Sequence, residues 1–305
     1  MKRISVIAAF ALSGCAAANM QPSIATQGAP AANAPAHFKK NARLVYATDY
    51  ANNTLTFYSY TTGKKEGTIN GLSAPQGLCS DANGNVFVAN TDGNEVLGFS
   101  LGSTTSSRTI TTTGQYPGGC AVSSKGTLAV VALCSAPSCG EGGLLLYADE
   151  TGSPTTVTCQ NLYHYYYATY DGKGNLFVEG DNVAGDFGFC EVRKGGTQGI
   201  AITLNFGPAF PSPVHWDGKY IATTYANGDI IGRYTIKGTS GTLENTVTLN
   251  GAQGQFTMAS KKVVLAATAG GYGYWKYPTG GNPYKTQQLT SDEFGGMVVS
   301  PAPQL

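Results

Sequence analysis

Short apolar runs return along the chain at a nearly constant interval, and polar, glycine-rich segments separate them. Within each run, apolar residues alternate or follow one another over about four positions, a pattern that favours β-strands. Six such runs begin at Leu44, Val86, Leu128, Leu176, Tyr220 and Val263. Successive starts are 42, 42, 48, 44 and 43 residues apart. A period of this length in β-rich units is typical of a β-propeller with one blade per repeat.

The second repeat shows the internal order of one unit most clearly. Residues 75–80 predict a strand, and Asp-Ala-Asn-Gly-Asn at 81–85 predicts a tight turn. An apolar strand, a second Gly-Asn turn at 93–94, a third strand and a fourth strand near 108–112 follow. Four antiparallel strands make one blade. The sequence therefore predicts an all-β, six-bladed propeller with four-stranded antiparallel blades.

The two ends of the repeat array complement each other. The first repeat begins at Leu44 without the strand that opens the other units, and residues 294–300 carry the pattern of that missing strand. We expect the C-terminal strand to close blade one, since this pairing removes an open sheet edge. The propeller would span residues 41–305.

The second repeat also resembles the NHL repeat. The shared pattern is Pro75-x-Gly77-Leu78, Asp81, Gly84-Asn85, Ala89-Asn90, Asn94-x-Val96 and Phe99. The match is partial in the third and fourth repeats, weaker in the fifth and nearly lost in the sixth. This resemblance implies the six-bladed architecture that gluconolactonase, regucalcin and streptogramin-lyase types share.

The N-terminus resembles that of a bacterial lipoprotein. Lys2 and Arg3 precede an apolar run at residues 4–12, and Leu-Ser-Gly-Cys ending at Cys15 is similar to a lipobox. The resemblance implies a signal peptide at 1–15 and a lipid on Cys15, such as palmitate. Ordinary signal-peptidase cleavage within residues 16–18 is the alternative. We expect residues 16–40 to form a flexible tether, and the protein to be anchored in the cell envelope, at the outer membrane or the periplasmic or extracellular surface.

Composition narrows the classes of partner. The formal net charge is +1 and charged residues make up 12% of the chain, with no basic stripe or acidic block along it. We therefore expect no nucleic-acid partner. Beyond the N-terminus no run of 18 apolar residues exists that could span a membrane as a helix. We expect a monomer.

Six cysteines follow Cys15, an even number that favours disulfides in an exported chain. Cys134 and Cys139 can pair across a short turn, and Cys79 and Cys120 occupy similar places in consecutive repeats. The full connectivity stays open among 15 pairings.

Ligands of propellers usually bind the face that holds the loops before each first strand and between each second and third strand. The repeat alignment puts candidate ligand-binding residues there: Gln76, Asn90, Tyr116, His164, Tyr165, Tyr166 and Tyr225. Further polar or aromatic residues on this face are Asp49, Tyr50, Asp92, Glu179, Asp181, Phe210, Gln255 and Glu293. The run Tyr163-His164-Tyr165-Tyr166-Tyr167 offers flat rings with hydroxyls, which suit a peptide or a glycan. Packing between blades is the alternative for these tyrosines.

Catalytic motifs such as Gly-x-Ser-x-Gly or His-Glu-x-x-His do not occur. The streptogramin-lyase resemblance implies a catalytic histidine near a metal, for which His164 is a weak candidate. The gluconolactonase resemblance implies Ca²⁺ or Mg²⁺ held by Glu, Asn and Asp, for which Glu293, Asp49 and Asn90 are weak candidates. We expect no other cofactor. The favoured interpretation is a binding module for a protein, peptide or glycan, and the alternative is a metal-dependent lactonase or lyase.

Overall fold

A computed structural model describes residues 38, 42–208, 210–225, 228–289 and 294–305. These residues form 25 β-strands and two one-turn 3₁₀ helices, Thr91–Gly93 and Ala148–Glu150. The prediction of an all-β chain is confirmed. No helix in the described part of the chain is long and apolar enough to cross a membrane.

Sheets A and B each contain four antiparallel strands. Sheet A has the order β25-β1-β2-β3 and sheet B the order β4-β5-β6-β7. The strands of sheet A are β1 (Leu44–Asp49), β2 (Thr54–Ser59), β3 (Lys65–Asn70) and β25 (Phe294–Ser300). Those of sheet B are β4 (Pro75–Ser80), β5 (Val86–Asn90), β6 (Glu95–Phe99) and β7 (Arg108–Thr111).

Sheet C has eight strands because two antiparallel halves join at their outer edges. A short parallel pairing of Thr158 and Cys159 with Gln198 and Gly199 links the halves. The first half consists of β8 (Gln115–Val122), β9 (Leu128–Ser135), β10 (Gly143–Tyr147) and β11 (Thr155–Cys159). The second half consists of β12 (His164–Tyr170), β13 (Leu176–Asp181), β14 (Phe187–Val192) and β15 (Gln198–Ala201).

Sheets D and E complete the set found in the described residues. Sheet D has the order β16-β20-β19-β18-β17, and sheet E has the order β21-β22-β23-β24. The strands of sheet D are β16 (Thr203–Leu204), β17 (Val214–Trp216), β18 (Ile221–Tyr225), β19 (Ile230–Lys237) and β20 (Ser240–Thr248). Those of sheet E are β21 (Phe256–Ser260), β22 (Val263–Thr268), β23 (Gly271–Lys276) and β24 (Lys285–Gln288).

The C-terminal strand pairs with the first strand of the chain. In this antiparallel register Leu44 lies opposite Ser300, and Ala47 lies opposite Met297. The hydroxyl of Thr48 donates a hydrogen bond to the carbonyl of Gln76 at 2.6 Å, which ties this pair to β4. The expected addition of the C-terminal strand to the first sheet is confirmed.

The first strands of successive sheets approach one another closely through glycine. A Cβ atom on Gly77 of β4 would lie 2.6 Å from the carbonyl oxygen of Gly118 in β8. A Cβ atom on Gly295 of β25 would lie 2.8 Å from the Cα atom of Gln76. Only glycine allows such backbone contact, so β25, β4 and β8 lie side by side at the centre. We term the face at the start of β4 and the end of β5 the upper face, and the opposite face the lower face.

The core lies between neighbouring sheets. Between sheets A and B, the buried side chains include Tyr46, Phe57, Val86 and Phe99. Between sheets D and E they include Ile231, Phe256 and Trp275. Burial of such side chains contributes roughly 1.5–3 kcal/mol each, so these interfaces hold the sheets in their arrangement.

Three disulfides connect the described cysteines. Cys79 pairs with Cys120 between β4 and β8, and Cys134 pairs with Cys139 in the β9–β10 loop. Both were candidates from the sequence and both are confirmed. The third pair, Cys159 and Cys190, joins the two halves of sheet C beside their parallel pairing.

Candidate functional site

The aromatic run predicted from the sequence forms the upper half of β12. Its register against β13 shifts between Tyr165 and Tyr167, so Tyr166 is an extra, unpaired residue in the ladder. Such a bulge re-aims the side chains on either side of it. Tyr165 and Tyr166 have different environments, because successive side chains of a strand point to opposite faces: Tyr165 is buried and Tyr166 is half-buried.

His164, Asp181 and Tyr166 form a polar cluster on the upper face, which we term the HDY cluster. Nδ1 of His164 lies 2.8 Å from Oδ1 of Asp181, its partner residue on β13. The hydroxyl of Tyr166 donates a hydrogen bond of 3.3 Å to Oδ2 of Asp181. Burial and this carboxylate together raise the pKa of Tyr166. The side chains of His164 and Asp181 keep 22% and 14% exposure, so a ligand can reach them.

The rings around the HDY cluster make edge contacts. Tyr163 and His164 have ring centroids 4.7 Å apart at 68°, and those of His164 and Tyr166 are 6.5 Å apart at 83°. The arrangement gives a half-buried aromatic surface with one carboxylate in it. Aromatic faces beside a carboxylate suit a ligand that carries an amine or sugar hydroxyls.

Glu179 lies on the same side of β13 as Asp181 but is fully buried. Its Oε2 atom accepts a hydrogen bond of 3.1 Å from the backbone nitrogen of Ser212. Burial raises the pKa of Glu179 to about 8, although hydrogen bonds from Thr223 and Ser212 oppose this. Within the described residues Oε1 of Glu179 has no hydrogen-bond partner. The sequence placed Glu179 on the ligand face, and the structure places it beneath that face.

A second buried contact supports the cluster from below. The side-chain amide of Gln255 donates a hydrogen bond of 2.8 Å to the hydroxyl of Tyr167. This bond links the segment before β21 to β12, across the short strand β17. Burial raises the pKa of Tyr167 to about 12. The two side chains fix the upper end of β12, on which His164 and Tyr166 depend.

Tyr165 differs from the prediction that it contacts a ligand. It is 1% exposed and packs in the core of sheet C with Leu144, Val157 and Leu176. Its hydroxyl lies 3.0 Å from the backbone nitrogen of Cys159, which donates to it. Tyr165 therefore holds the two halves of sheet C together, as the packing alternative for these tyrosines stated.

The remaining ligand candidates lie at the upper ends of other strands than β12 and β13, which carry the HDY cluster. Gln76 and Tyr116 are half-buried near the starts of β4 and β8, and Tyr225 is half-buried at the end of β18. Asn90 is buried, and its amide accepts a hydrogen bond from Ser73 N at 2.6 Å. It also donates one of 2.7 Å to Glu95. Asn90 thus stabilises the loops of sheet B.

Two of the three weak metal candidates, Asp49 and Asn90, lie among the described residues and are engaged in local hydrogen bonds. Glu293, like Cys15, lies outside the described residues. The carboxylate of Asp49 accepts hydrogen bonds from the backbone and side-chain nitrogens of Asn52, at 2.9 and 2.8 Å. The oxygen of Asn90 is bonded to Ser73. Among the described residues no three His, Cys, Asp or Glu side chains come together as metal ligands.

Charge is divided between the two faces. In the segments that the structure describes, no lysine or arginine lies on the upper face. The acidic residues on that face are Asp49, Asp92, Glu95, Glu141, Glu179, Asp181, Asp186 and Asp229. The upper face therefore favours a neutral or positively charged ligand over an anionic one.

Comparisons with known proteins show the fold. No protein-family model matches the chain, and no curated protein matches it in sequence. A chain in the crystal structure of a nidogen/laminin complex superposes with a TM-score of 0.67 at 11% identity, covering 87% of this chain and 100% of that one. A protein of unknown function from Bacteroides caccae gives a TM-score of 0.63 at 8% identity, covering 85% and 99%.

A streptogramin B lyase is also similar in structure. Its TM-score is 0.52 at 13% identity, over 83% of this chain and 75% of that chain. At such low identity these likenesses concern architecture alone. Together with the sheet order they show that the chain is a β-propeller.

Proposed function

We propose that this chain is an exported lipoprotein whose NHL-like, six-bladed propeller binds a protein, peptide or glycan on its upper face. The two halves of sheet C would supply two of the six blades, and sheets A, B, D and E the others. The HDY cluster is the observation that carries the proposal, because it combines accessible rings with a carboxylate. The described residues of this face include no lysine or arginine, which favours a ligand with an amine or with neutral hydroxyls.

The binding role is tested with the native lipoprotein purified from membranes. The double substitution His164→Ala and Tyr166→Ala removes two rings of the HDY cluster, and we expect it to abolish co-purification of the ligand. Tyr284→Ala removes a 53% exposed tyrosine before β24 and serves as the matched control. The proposed site is contradicted if the ligand co-purifies with both variants, or if both variants lose it equally.

The lipid anchor is tested separately. We expect Cys15→Ser to lower the fraction of the protein that stays with membranes after a high-salt wash, because acyl chains would no longer hold it. Metabolic labelling with a palmitate analogue should mark the wild type only. Labelling of Cys15→Ser as strong as that of the wild type, or no labelling of either protein, contradicts the anchor.

A metal-dependent lactonase or lyase is the second candidate. The likeness to streptogramin B lyase and the His164–Asp181 pair favour it, because a histidine oriented by a carboxylate is the arrangement of a general base. Metal analysis after dialysis decides between the candidates. Stoichiometric calcium or magnesium that is lost in His164→Ala supports the enzyme, and its absence supports the binding module.

A further inference from the structure

The basic residues of the described chain gather on one face of the propeller. They lie in turns between first and second strands or between third and fourth strands, or at the ends of strands that these turns join. The exposed ones are Lys64, Lys65, Lys125, Lys173, Arg193, Lys194, Lys219, Lys237, Lys261, Lys262 and Lys276. A net charge of +1 for the whole chain hides this separation.

The acidic residues on the lower face are buried or half-buried, with the exception of Asp149. Asp81 is 6% exposed and Asp217 is 5% exposed. Asp81 caps its turn by accepting hydrogen bonds from the backbone nitrogens of Asn83 and Asn85. The remaining acidic groups on this face are Glu66, Asp149, Glu150, Asp171, Glu191 and the C-terminal carboxylate of Leu305. Of these side chains only Asp149 is exposed, so lysine and arginine dominate the lower surface.

Two described residues that precede the first strand, Phe38 and Arg43, lie at this same face. The ring of Phe38 packs edge-on against Phe57 at 6.4 Å and lies beside Gly102, in the lower loop between β6 and β7. Arg43 follows, and its guanidinium donates a hydrogen bond of 2.6 Å to the carbonyl of Ala259 at the lower end of β21. Phe38 and Arg43 therefore both contact the basic face.

We propose that the lower face docks on an anionic lipid bilayer, so that the upper face with the HDY cluster points away from the membrane. A lysine or arginine near an anionic bilayer strengthens binding by roughly fivefold. A basic surface beside an acyl chain is a recognised two-signal anchor. The orientation goes beyond the proposed function, because it concerns the charge of the lower face and not the lipid on Cys15.

The test uses the full chain with Cys15→Ser, so that no acyl chain contributes. Sedimentation compares binding to two kinds of vesicle. One is phosphatidylcholine with about 30% of the anionic lipid phosphatidylglycerol, and the other is pure phosphatidylcholine. The apolar run at residues 4–12 is present in every arm and sets the baseline on neutral vesicles. We expect stronger binding to the anionic vesicles, and loss of the difference in high salt.

Two matched variants separate the face from the net charge. The lower variant carries Lys125→Gln, Lys173→Gln, Lys194→Gln and Lys262→Gln. The upper variant makes the same change in net charge with Ala51→Glu, Ser138→Glu, Ala184→Glu and Gln253→Glu, all at exposed positions. Circular dichroism and thermal unfolding confirm that each variant is folded.

We expect the lower variant to bind anionic vesicles at least tenfold more weakly, on the order of several hundredfold if each lysine contributes fully. The upper variant should bind within about twofold of the parent, because its new charges lie on the far side. Equal loss in both variants, or no loss in the lower variant, overturns the proposal. Binding to a soluble polyanion such as dextran sulfate but not to vesicles overturns it as well, and assigns the face to acidic polymers.

Discussion

Oε2 of Glu179 accepts a hydrogen bond of 3.1 Å from the backbone nitrogen of Ser212, and this bond joins β13 to the loop before β17. The contact places a buried carboxyl between two sheets, directly beneath the HDY cluster. Its pKa of about 8 means that the group is largely protonated in the folded protein at neutral pH. The same group is ionised in the unfolded chain, where its pKa is about 4.5.

This difference predicts a pH-dependent stability. Below about pH 4.5 Glu179 is protonated in both the folded and the unfolded protein, and its contribution to stability is complete. Between pH 4.5 and 8 only the folded protein keeps this proton. The free energy of unfolding should therefore fall as pH rises, by at most about 1.4 kcal/mol per pH unit. Urea denaturation from pH 6.5 to 8 measures the slope. Glu179→Gln should remove it and the exposed control Glu244→Gln should keep it; an unchanged slope in Glu179→Gln contradicts the assignment.

His215 predicts the opposite slope in acid. Its Nε2 atom lies 2.9 Å from the carbonyl oxygen of Phe256, and burial lowers its pKa to about 4 from 6.5. The stability that this residue contributes is complete above pH 6.5 and is lost as pH falls towards 4. In a Glu179→Gln variant, the free energy of unfolding measured by urea denaturation should decrease as pH falls from 6.5 to 4. The additional substitution His215→Asn should reduce this decrease. If the double variant loses stability as steeply, another group is responsible.

Removal of the Cys79–Cys120 or the Cys134–Cys139 disulfide should lower the free energy of unfolding by different amounts. The Cys79–Cys120 bond closes a loop of 41 residues, whereas the Cys134–Cys139 bond closes one of 5. Loop-closure entropy gives about 4 kcal/mol for the first and about 2 kcal/mol for the second. Urea denaturation of the two double-alanine variants measures both. A larger loss from the Cys134–Cys139 pair would show that the β4–β8 link is not the stronger constraint.

The backbones of β4 and β8 approach each other so closely that a methyl group added at Gly77 should disrupt their packing. In Gly77→Ala the new carbon would meet the carbonyl of Gly118 at 2.6 Å, so the backbones of β4 and β8 must move apart. We expect a destabilisation of about 2 kcal/mol or more, in line with overpacked cores. Gly143→Ala is the matched control, because no atom lies within 4 Å of its new carbon. Equal melting temperatures for the two variants would contradict the contact.

Periodicity was sufficient to predict the β-propeller fold and the pairing of its first and last strands. Apolar alternation between turns placed the strands, and the pattern at Phe294–Ser300 predicted their pairing with Leu44–Asp49. Two disulfides also followed from position: Cys79 and Cys120 occupy similar places in adjacent repeats, and Cys134 and Cys139 flank a short turn.

The site was predictable in location but not in detail. Repeat alignment put His164, Tyr166 and Asp181 on one face, but it also put the buried Tyr165 there, and it did not predict the bulge at Tyr166. A bulge leaves no mark in apolar spacing. The division of charge was also missed, since lysines such as Lys125 and Lys173 lie about one repeat apart and form no run along the chain. Only the common position of their turns brings them to one face.

The central claim is that the ligand meets the upper face at the HDY cluster, and photo-crosslinking in intact cells tests it most directly. A benzophenone amino acid is placed on the upper face at Val183 or Phe210, which are 83% and 70% exposed, and on the lower face at Lys125 or Lys173. We expect discrete adducts from the upper positions that disappear when His164→Ala and Tyr166→Ala are added. Ligand adducts from the lower positions alone, or upper adducts that survive the double substitution, would contradict the claim.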